Sequence, residues 1–180
     1  GRYRLEEARI LLPDGEAAFF TADDGLIRPP PSADFGDWLR RAAPPLEIGV
    51  RLVTPLRIKE GGTLLRHAPH YSQLLHRLFG RLDQLAHVMG SEPLLAKSER
   101  APLLDEAAPV ALVAAEVHWQ ELARRSARTQ QQMSFGGLLG HLRFAGDLTQ
   151  TLPWLLAGQH VQIGGKTAFG FGGYQVEGIH

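Results

Sequence analysis

The stretch Leu46-Glu47-Ile48-Gly49-Val50-Arg51-Leu52-Val53-Thr54-Pro55 decides the fold of this chain. Leu46, Ile48, Val50 and Leu52 alternate with Glu47, Gly49 and Arg51, the period of two that turns one side of a strand to a core and the other to water. Thr54-Pro55 ends that strand, because proline has no N–H to give to a ladder. Downstream, Pro69 suits a first helical turn, and Tyr71, Leu74, Leu75, Leu78, Leu82, Leu85 and Met89 recur at helical spacing until Gly90 closes the helix. The segment through Pro93 and Pro102 reads as a loop. Val110 to Val117 is apolar and valine-rich, the pattern of a central strand. Leu138, Gly140, Leu142 and Phe144 alternate into a further strand that ends at Gly146. Asp147 can cap a helix carrying Leu148, Leu152, Leu155 and Leu156 and closed by Gly158, with Pro153 demanding a kink or a delayed start. Val161 to Ile163 and Tyr174 to Val176 read as strand. The order is strand, helix, strand, strand, helix, strand, the βαββαβ unit of an α+β ferredoxin-like fold.

Upstream of Leu46 the pattern is weaker. Arg2 to Leu12, Ala17 to Phe20 and Gly25 to Ile27 have strand character around the turn signal Asp23-Asp24-Gly25. Pro29 to Pro31 break the chain, and Asp34 can cap a short helix through Trp38 and Leu39 that stops before Pro44-Pro45. The expected organisation is a β-rich N-terminal segment over residues 1–45 and a ferredoxin-like domain over 46–180. The chain starts at Gly1 and enters a strand-like pattern at once, which suggests that the natural protein has residues before it.

Composition narrows the function. With 180 residues, 44% of them hydrophobic, the chain can bury one full core. It has no cysteine, which excludes disulfides, thiolate catalysis and cysteine-ligated zinc. Basic and acidic residues balance at 19 each, so a nucleic-acid surface has to be a local patch. Lysine occurs only at Lys59, Lys97 and Lys166, and the other cations are arginines, the side chain that forks onto phosphates. No apolar run reaches the length of a bilayer span and no secretory signal is evident, so the expected location is the cytoplasm.

Gly164, Gly165, Gly170, Gly172 and Gly173 surround Lys166, with Phe169 and Phe171 interleaved. Glycines admit positive φ and close approach to a ligand, and a lysine among exposed amides favours an anion such as phosphate. The ordered pattern of a nucleotide P-loop is missing, as is the strand and long helix that a dinucleotide fingerprint needs. A tight turn or bulge packed on the sheet explains the same glycines.

Gln162-Ile163-Gly164, five residues containing Lys166, and Gly170-Phe171-Gly172 together resemble the C-terminal signature of the CRISPR precursor-RNA processing endoribonucleases of the RAMP superfamily. Gln162 stands where that signature has its first glycine. The resemblance extends to Val53-Thr54-Pro55-Leu56-Arg57, to the arginine-dotted helix Tyr71 to Met89, and to Gly136-Gly137-Leu138-Leu139-Gly140 leading into Gly146-Asp147-Leu148. It covers about Leu46 to Glu177. It implies an RRM-like domain of a metal-independent ribonuclease that cuts CRISPR repeat RNA by 2′-hydroxyl attack, leaving a cyclic phosphate and needing no cofactor. The family typically pairs two such units, with the catalytic histidine commonly in the first.

On this reading Gly164, Gly165, Lys166, Gly170 and Gly172 are expected to contact RNA, followed by Arg125 and Arg128 in the basic, amide-rich stretch from Arg124 to Gln132, and by Arg57 and Lys59. His67, His70 and Tyr71, beside Arg66, are the candidate acid/base groups. His76 and His87 read as solvated helix residues. His118 and His141 could meet across the sheet, but no carboxylate stands at ligand spacing, and no metal is expected. Phe169, Phe171 and Tyr174 can either stack on bases or pack. The expected partners are CRISPR repeat RNA and other CRISPR effector subunits, with no membrane. A non-catalytic RNA-binding or scaffold module is the alternative, and a metabolite-binding regulatory domain a more distant one.

Overall fold

The computed structural model describes residues 5–12, 15–23, 46–125 and 132–178. The chain divides into two compact units, Gly1–Ala42 and Ala43–His180. In the first, β1 (Glu7–Leu12) and β2 (Gly15–Thr21) form an antiparallel hairpin whose register slips between Ala8 and Arg9. The strand expected at Gly25 to Ile27 and the helix expected after Asp34 lie outside the described residues.

The second unit is built on a four-stranded antiparallel sheet of order β10-β3-β9-β6, in which β3 is Glu47–Leu56, β6 Ala111–Gln120, β9 Gly137–Ala145 and β10 Tyr174–Glu177. Helix α1 (Tyr71–Val88) connects β3 to β6, and α3 (Leu152–Gly158) connects β9 to β10. That is the ferredoxin-like βαββαβ topology. Ile48, Val50 and Leu52 point into the core and pair in register with Phe144, Leu142 and Gly140 of β9. From α1, Tyr71, Leu74, Leu75, Leu78, Phe79, Leu82 and Ala86 cover them at helical spacing. Each fully buried leucine here contributes roughly 1.5–3 kcal/mol. Tyr71 meets Phe144 edge to face at 5.3 Å, and Phe79 meets Trp154 of α3 at 5.6 Å. Among the described residues, no helix is long and apolar enough to cross a membrane.

Helix α1 is bounded by local chemistry. His70 is its N-cap: the imidazole accepts from the Ser72 N–H, and the Gln73 side chain accepts from the His70 N–H at 2.8 Å. Pro69 therefore lies one residue before the cap instead of in the first turn. At the other end, Gly90 at φ 68° donates to His87 and Ser91 donates to Ala86, a Schellman closure.

Several expectations change. A helix, α2 (Lys97–Ala107), occupies the segment read as a loop. Pro102 deprives it of one internal hydrogen bond, but Arg100 anchors it to Asp83 of α1 through two 2.5 Å contacts and to the Leu95 carbonyl. The strand read as central, β6, is an edge strand whose residues are mostly exposed, because this topology puts the second strand of the unit outermost. Asp147 does not cap α3. Its carboxylate accepts from the Thr149 N–H in a preceding turn, and the helix starts at Leu152, with Pro153 in its first turn. Val161 to Ile163 is not strand. Short β4 (Lys59–Glu60) and β5 (Thr63–Leu64) form a hairpin through Gly61 and Gly62. Beyond the main sheet, β7 (Ala123–Arg125) and β8 (Gln132–Ser134) extend the β6–β9 hairpin.

Candidate nucleic-acid interface

β3 does not stop at Thr54-Pro55, but its register with β9 breaks between Leu52 and Leu56. Pro55 cannot donate to a ladder, so the neighbouring backbone groups turn elsewhere. They meet the glycine-rich segment. The amides of Val53 and Thr54 donate to the Gly173 carbonyl at 2.9 and 3.1 Å, Thr54 Oγ1 accepts from the Gly173 N–H at 2.8 Å, and the Pro55 carbonyl accepts from Gly172 at 3.1 Å. Two residues on, the Arg57 carbonyl accepts from Gly165 at 2.7 Å. The loop is thus laced to the end of β3.

Packing accounts for two of the expected RNA-contacting glycines. A Cβ on Gly172 would lie 1.8 Å from the Ile163 carbonyl oxygen, and one on Gly164 2.5 Å from that of Arg57. Between them the chain makes a single 3-10 turn over Thr167–Phe169, entered by Lys166 in the left-handed region. The Lys166 ammonium lies 3.9 Å from the centre of the Phe135 ring, and Phe135 also meets Phe169 and Phe171 edge to face. Phe171 and Tyr174 are buried, and Tyr174 donates to the Leu155 carbonyl, so both pack. Phe169 is 54% exposed.

Beside this loop runs a cleft of about 460 Å³ lined by Arg57, Lys59, Lys166, Gly164 and Gly165 and, from α1, by His76, Arg77, Gly80, Arg81 and Gln84. Five of its lining residues are lysine or arginine and none is acidic. Backbone carbonyls hold the arginines in place: Arg57 donates to Gly136 at 2.6 Å, Arg81 to Val161 at 3.0 Å, and Arg77 to Lys59. A carbonyl orients a guanidinium without neutralising it, which leaves most of its five donors for an anion. On the open face of the sheet, by contrast, Arg51 pairs with Glu177 and Arg143 with Glu47, and on the helices Arg100 pairs with Asp83. The neutral sum of charges therefore hides a local excess of cations.

The structure brings Gly164, Gly165, Lys166, Arg57 and Lys59 together in this cleft. Gly170 is outside it, with open space where a Cβ would stand. Arg125 lies in β7, and Arg128 falls outside the described residues. His76, Arg77, Gly80, Arg81 and Gln84 were not expected here. Their signal was the polar stripe at spacings of three and four on the side of α1 opposite the leucines.

The acid/base candidates do not gather at the cleft. Tyr71 is fully buried, its hydroxyl bonded to Thr151 Oγ1 at 3.1 Å, and burial pushes its pKa up to about 12. In this position the phenol is packed in the core and away from the cleft. His70 is occupied as the helix cap. His67 is exposed on the loop whose Arg66 stacks 4.2 Å over Trp119 at the end of β6. His118 of β6 faces Leu139, whereas His141 of β9 faces Glu116. Among the described residues, no three histidines and carboxylates come together as a metal site.

The profile of the family described as CRISPR-associated endoribonuclease Cas6 matches residues 50–174. A Thermus thermophilus Cas6 aligns with a TM-score of 0.57 at 13% identity, over 91% of this chain and 66% of its own. A Cas6 product complex aligns at 0.57 and 14% identity, over 81% and 56%. A chain of a partial Cas6-RT-Cas1–Cas2 complex aligns at 0.55 and 19% identity, over 78% of this chain and 24% of that one. At such identities the likeness is one of fold, and the present chain spans only part of the length of these relatives. No curated protein gives a significant match.

Proposed function

From the premise that this chain belongs to the CRISPR-associated endoribonuclease Cas6 family, we propose that it holds CRISPR repeat RNA by its phosphates in the cleft between α1 and the glycine-rich loop, and so serves the processing of precursor transcripts into guide RNA. The supporting observation is the group of five cations lining that cleft without an acidic residue among them. Contacts to phosphates fix register and carry affinity, and a folded hairpin is recognised mainly through them and through shape. Gly164, Gly165 and Lys166 serve as the loop side of the cleft, Arg57 and Lys59 as its edge at β3 and β4. Arg125 and Arg128 are proposed as further phosphate contacts. Cleavage, in the complete protein, is metal-independent: the 2′-hydroxyl attacks the adjacent phosphate, a base takes its proton, an acid protonates the leaving oxygen, and a cation stabilises the added charge. The proposed domain division is at residue 45/46, and the proposed location is the cytoplasm.

One observation favours a second reading, in which this part of the protein binds RNA and another part or a partner cuts it. Tyr71 is sealed in the core and His70 caps a helix, so the expected acid/base group is not assembled here. The likeness to a chain of a Cas6-RT-Cas1–Cas2 complex supports other CRISPR proteins as its partners.

A labelled repeat hairpin titrated with the purified chain at several salt concentrations tests both. The RNA reading expects affinity that falls steeply with salt and a large loss in the combined Arg77→Ala, Arg81→Ala, Lys166→Ala variant. Equal affinity of that variant and the parent chain would overturn it. Single-turnover cleavage by this chain in EDTA would decide against the purely binding role.

A further inference from the structure

We infer that Gly80 is the point at which the RNA backbone lies directly on α1, its missing side chain setting the depth of the cleft. This rests on the RNA reading proposed above. Glycine is the poorest helix former after proline, and Gly80 sits in the interior of an 18-residue helix. A fold retains such a residue for one of a few internal reasons, and none applies. Its backbone is ordinary helix, since it is not among the glycines of positive φ. No neighbour crowds it: a Cβ there would meet nothing within 4 Å. It is exposed and far from either end of the helix. Gly158 of α3 shows the contrary case, where a Cβ would stand 2.4 Å from the Tyr174 hydroxyl and 2.7 Å from Leu78, so packing requires the glycine.

What Gly80 does have is a place in the cleft. His76 and Gln84 stand one turn before and after it, Arg77 and Arg81 form the next row along one side of it, and all line the same cavity. In the row of His76, Gly80 and Gln84 the glycine leaves a gap that exposes the helix backbone, beside the row of Arg77 and Arg81. A ribose-phosphate chain seated on Gly80 has the guanidiniums of Arg77 and Arg81 together along one side of it, and any side chain at position 80 takes up its space. Violation of a local folding rule with no internal compensation marks a functional position.

The test compares Gly80→Ala and Gly80→Leu with the parent chain for thermal unfolding and for affinity to the repeat hairpin. Better helix formers should raise the melting temperature by roughly 2–5 °C. Affinity should nevertheless fall in order of side-chain size, by about threefold for alanine and about tenfold or more for leucine. Greater stability with weaker binding cannot be a folding defect. Parent-level affinity in both variants overturns the inference. An Arg77→Ala, Arg81→Ala double variant measured alongside separates the two levels: if it binds weakly while the Gly80 variants bind normally, only the role of Gly80 fails, and if it too binds normally, the RNA reading fails with it.

Discussion

Arg81 donates from Nε to the Val161 carbonyl at 3.0 Å, joining the middle of α1 to the segment that leads into the glycine-rich loop. That bond fixes the plane of the guanidinium and leaves its outer edge for a phosphate. Arg81→Lys keeps the charge but loses the fork and the tether. It is expected to weaken hairpin binding about three- to tenfold with little change in the salt dependence. Arg81→Ala should in addition reduce the slope of log affinity against log salt by about one. Fluorescence anisotropy across a potassium chloride series reads both, and a lysine variant that binds like the parent would remove the argument from geometry.

Gly172 and Gly165 look alike in the sequence and are predicted to behave differently. Gly172 has φ 80°, and a Cβ would collide with the Ile163 carbonyl. Gly172→Ala should therefore cost roughly 2–4 kcal/mol from backbone strain and overpacking together. At Gly165 an added Cβ comes no nearer than 3.6 Å to the Arg57 carbonyl, an ordinary contact. Gly165→Ala should stay within about 0.5 kcal/mol of the parent in urea denaturation. Similar losses in both would mean that the loop is not docked on β3 as described.

Gln162 has φ 60°, a left-handed conformation that its Cβ disfavours, at the position where the family signature has glycine. Removing that strain gains about 1–2 kcal/mol, and the greater freedom of glycine in the unfolded chain takes back about 0.4–1 kcal/mol. The balance predicts that Gln162→Gly stabilises the protein modestly. A lower unfolding midpoint for this variant would show that the glutamine side chain makes a compensating contact.

The elements of the ferredoxin-like unit were legible because their apolar residues face one core: β3, α1 and β9 each carry the period of their own structure. Helix α2 was not, because only Ala107 of it is fully buried, Leu103 and Leu104 are no more than half-buried, and the Arg100–Asp83 pair adds a hold that leaves no apolar signal. The apolar run of β6 misled for the opposite reason, since Val113 and its neighbouring alanines are exposed on an edge strand. The βαββαβ order already implied that edge position. At the site, the loop half of the cleft was visible as a motif. The helix half was not, because Arg77 and Arg81 look like any solvated helix face until a loop from the far end of the chain is laid beside them.

Tyr71 and Thr151 share a hydrogen bond inside the core, 80 residues apart in sequence. Tyr71→Phe removes the hydroxyl and leaves Thr151 short of a partner, which should cost about 0.5–1.5 kcal/mol. If the complete protein cleaves RNA, its single-turnover rate should be unchanged by this substitution, whereas a proton-transferring tyrosine would lose orders of magnitude. The alkaline limb of stability gives a second readout. An unfolded tyrosine releases its proton near pH 10, while the buried Tyr71 retains it until about 12. Between those values the folded chain binds more protons than the unfolded one, so stability falls as pH rises through that window. Tyr174, whose pKa burial also raises, contributes a loss of the same sign. Phenylalanine at position 71 should therefore make the decline in melting temperature above pH 10 shallower without abolishing it, and an unaltered decline would mean that Tyr71 is not sealed from solvent.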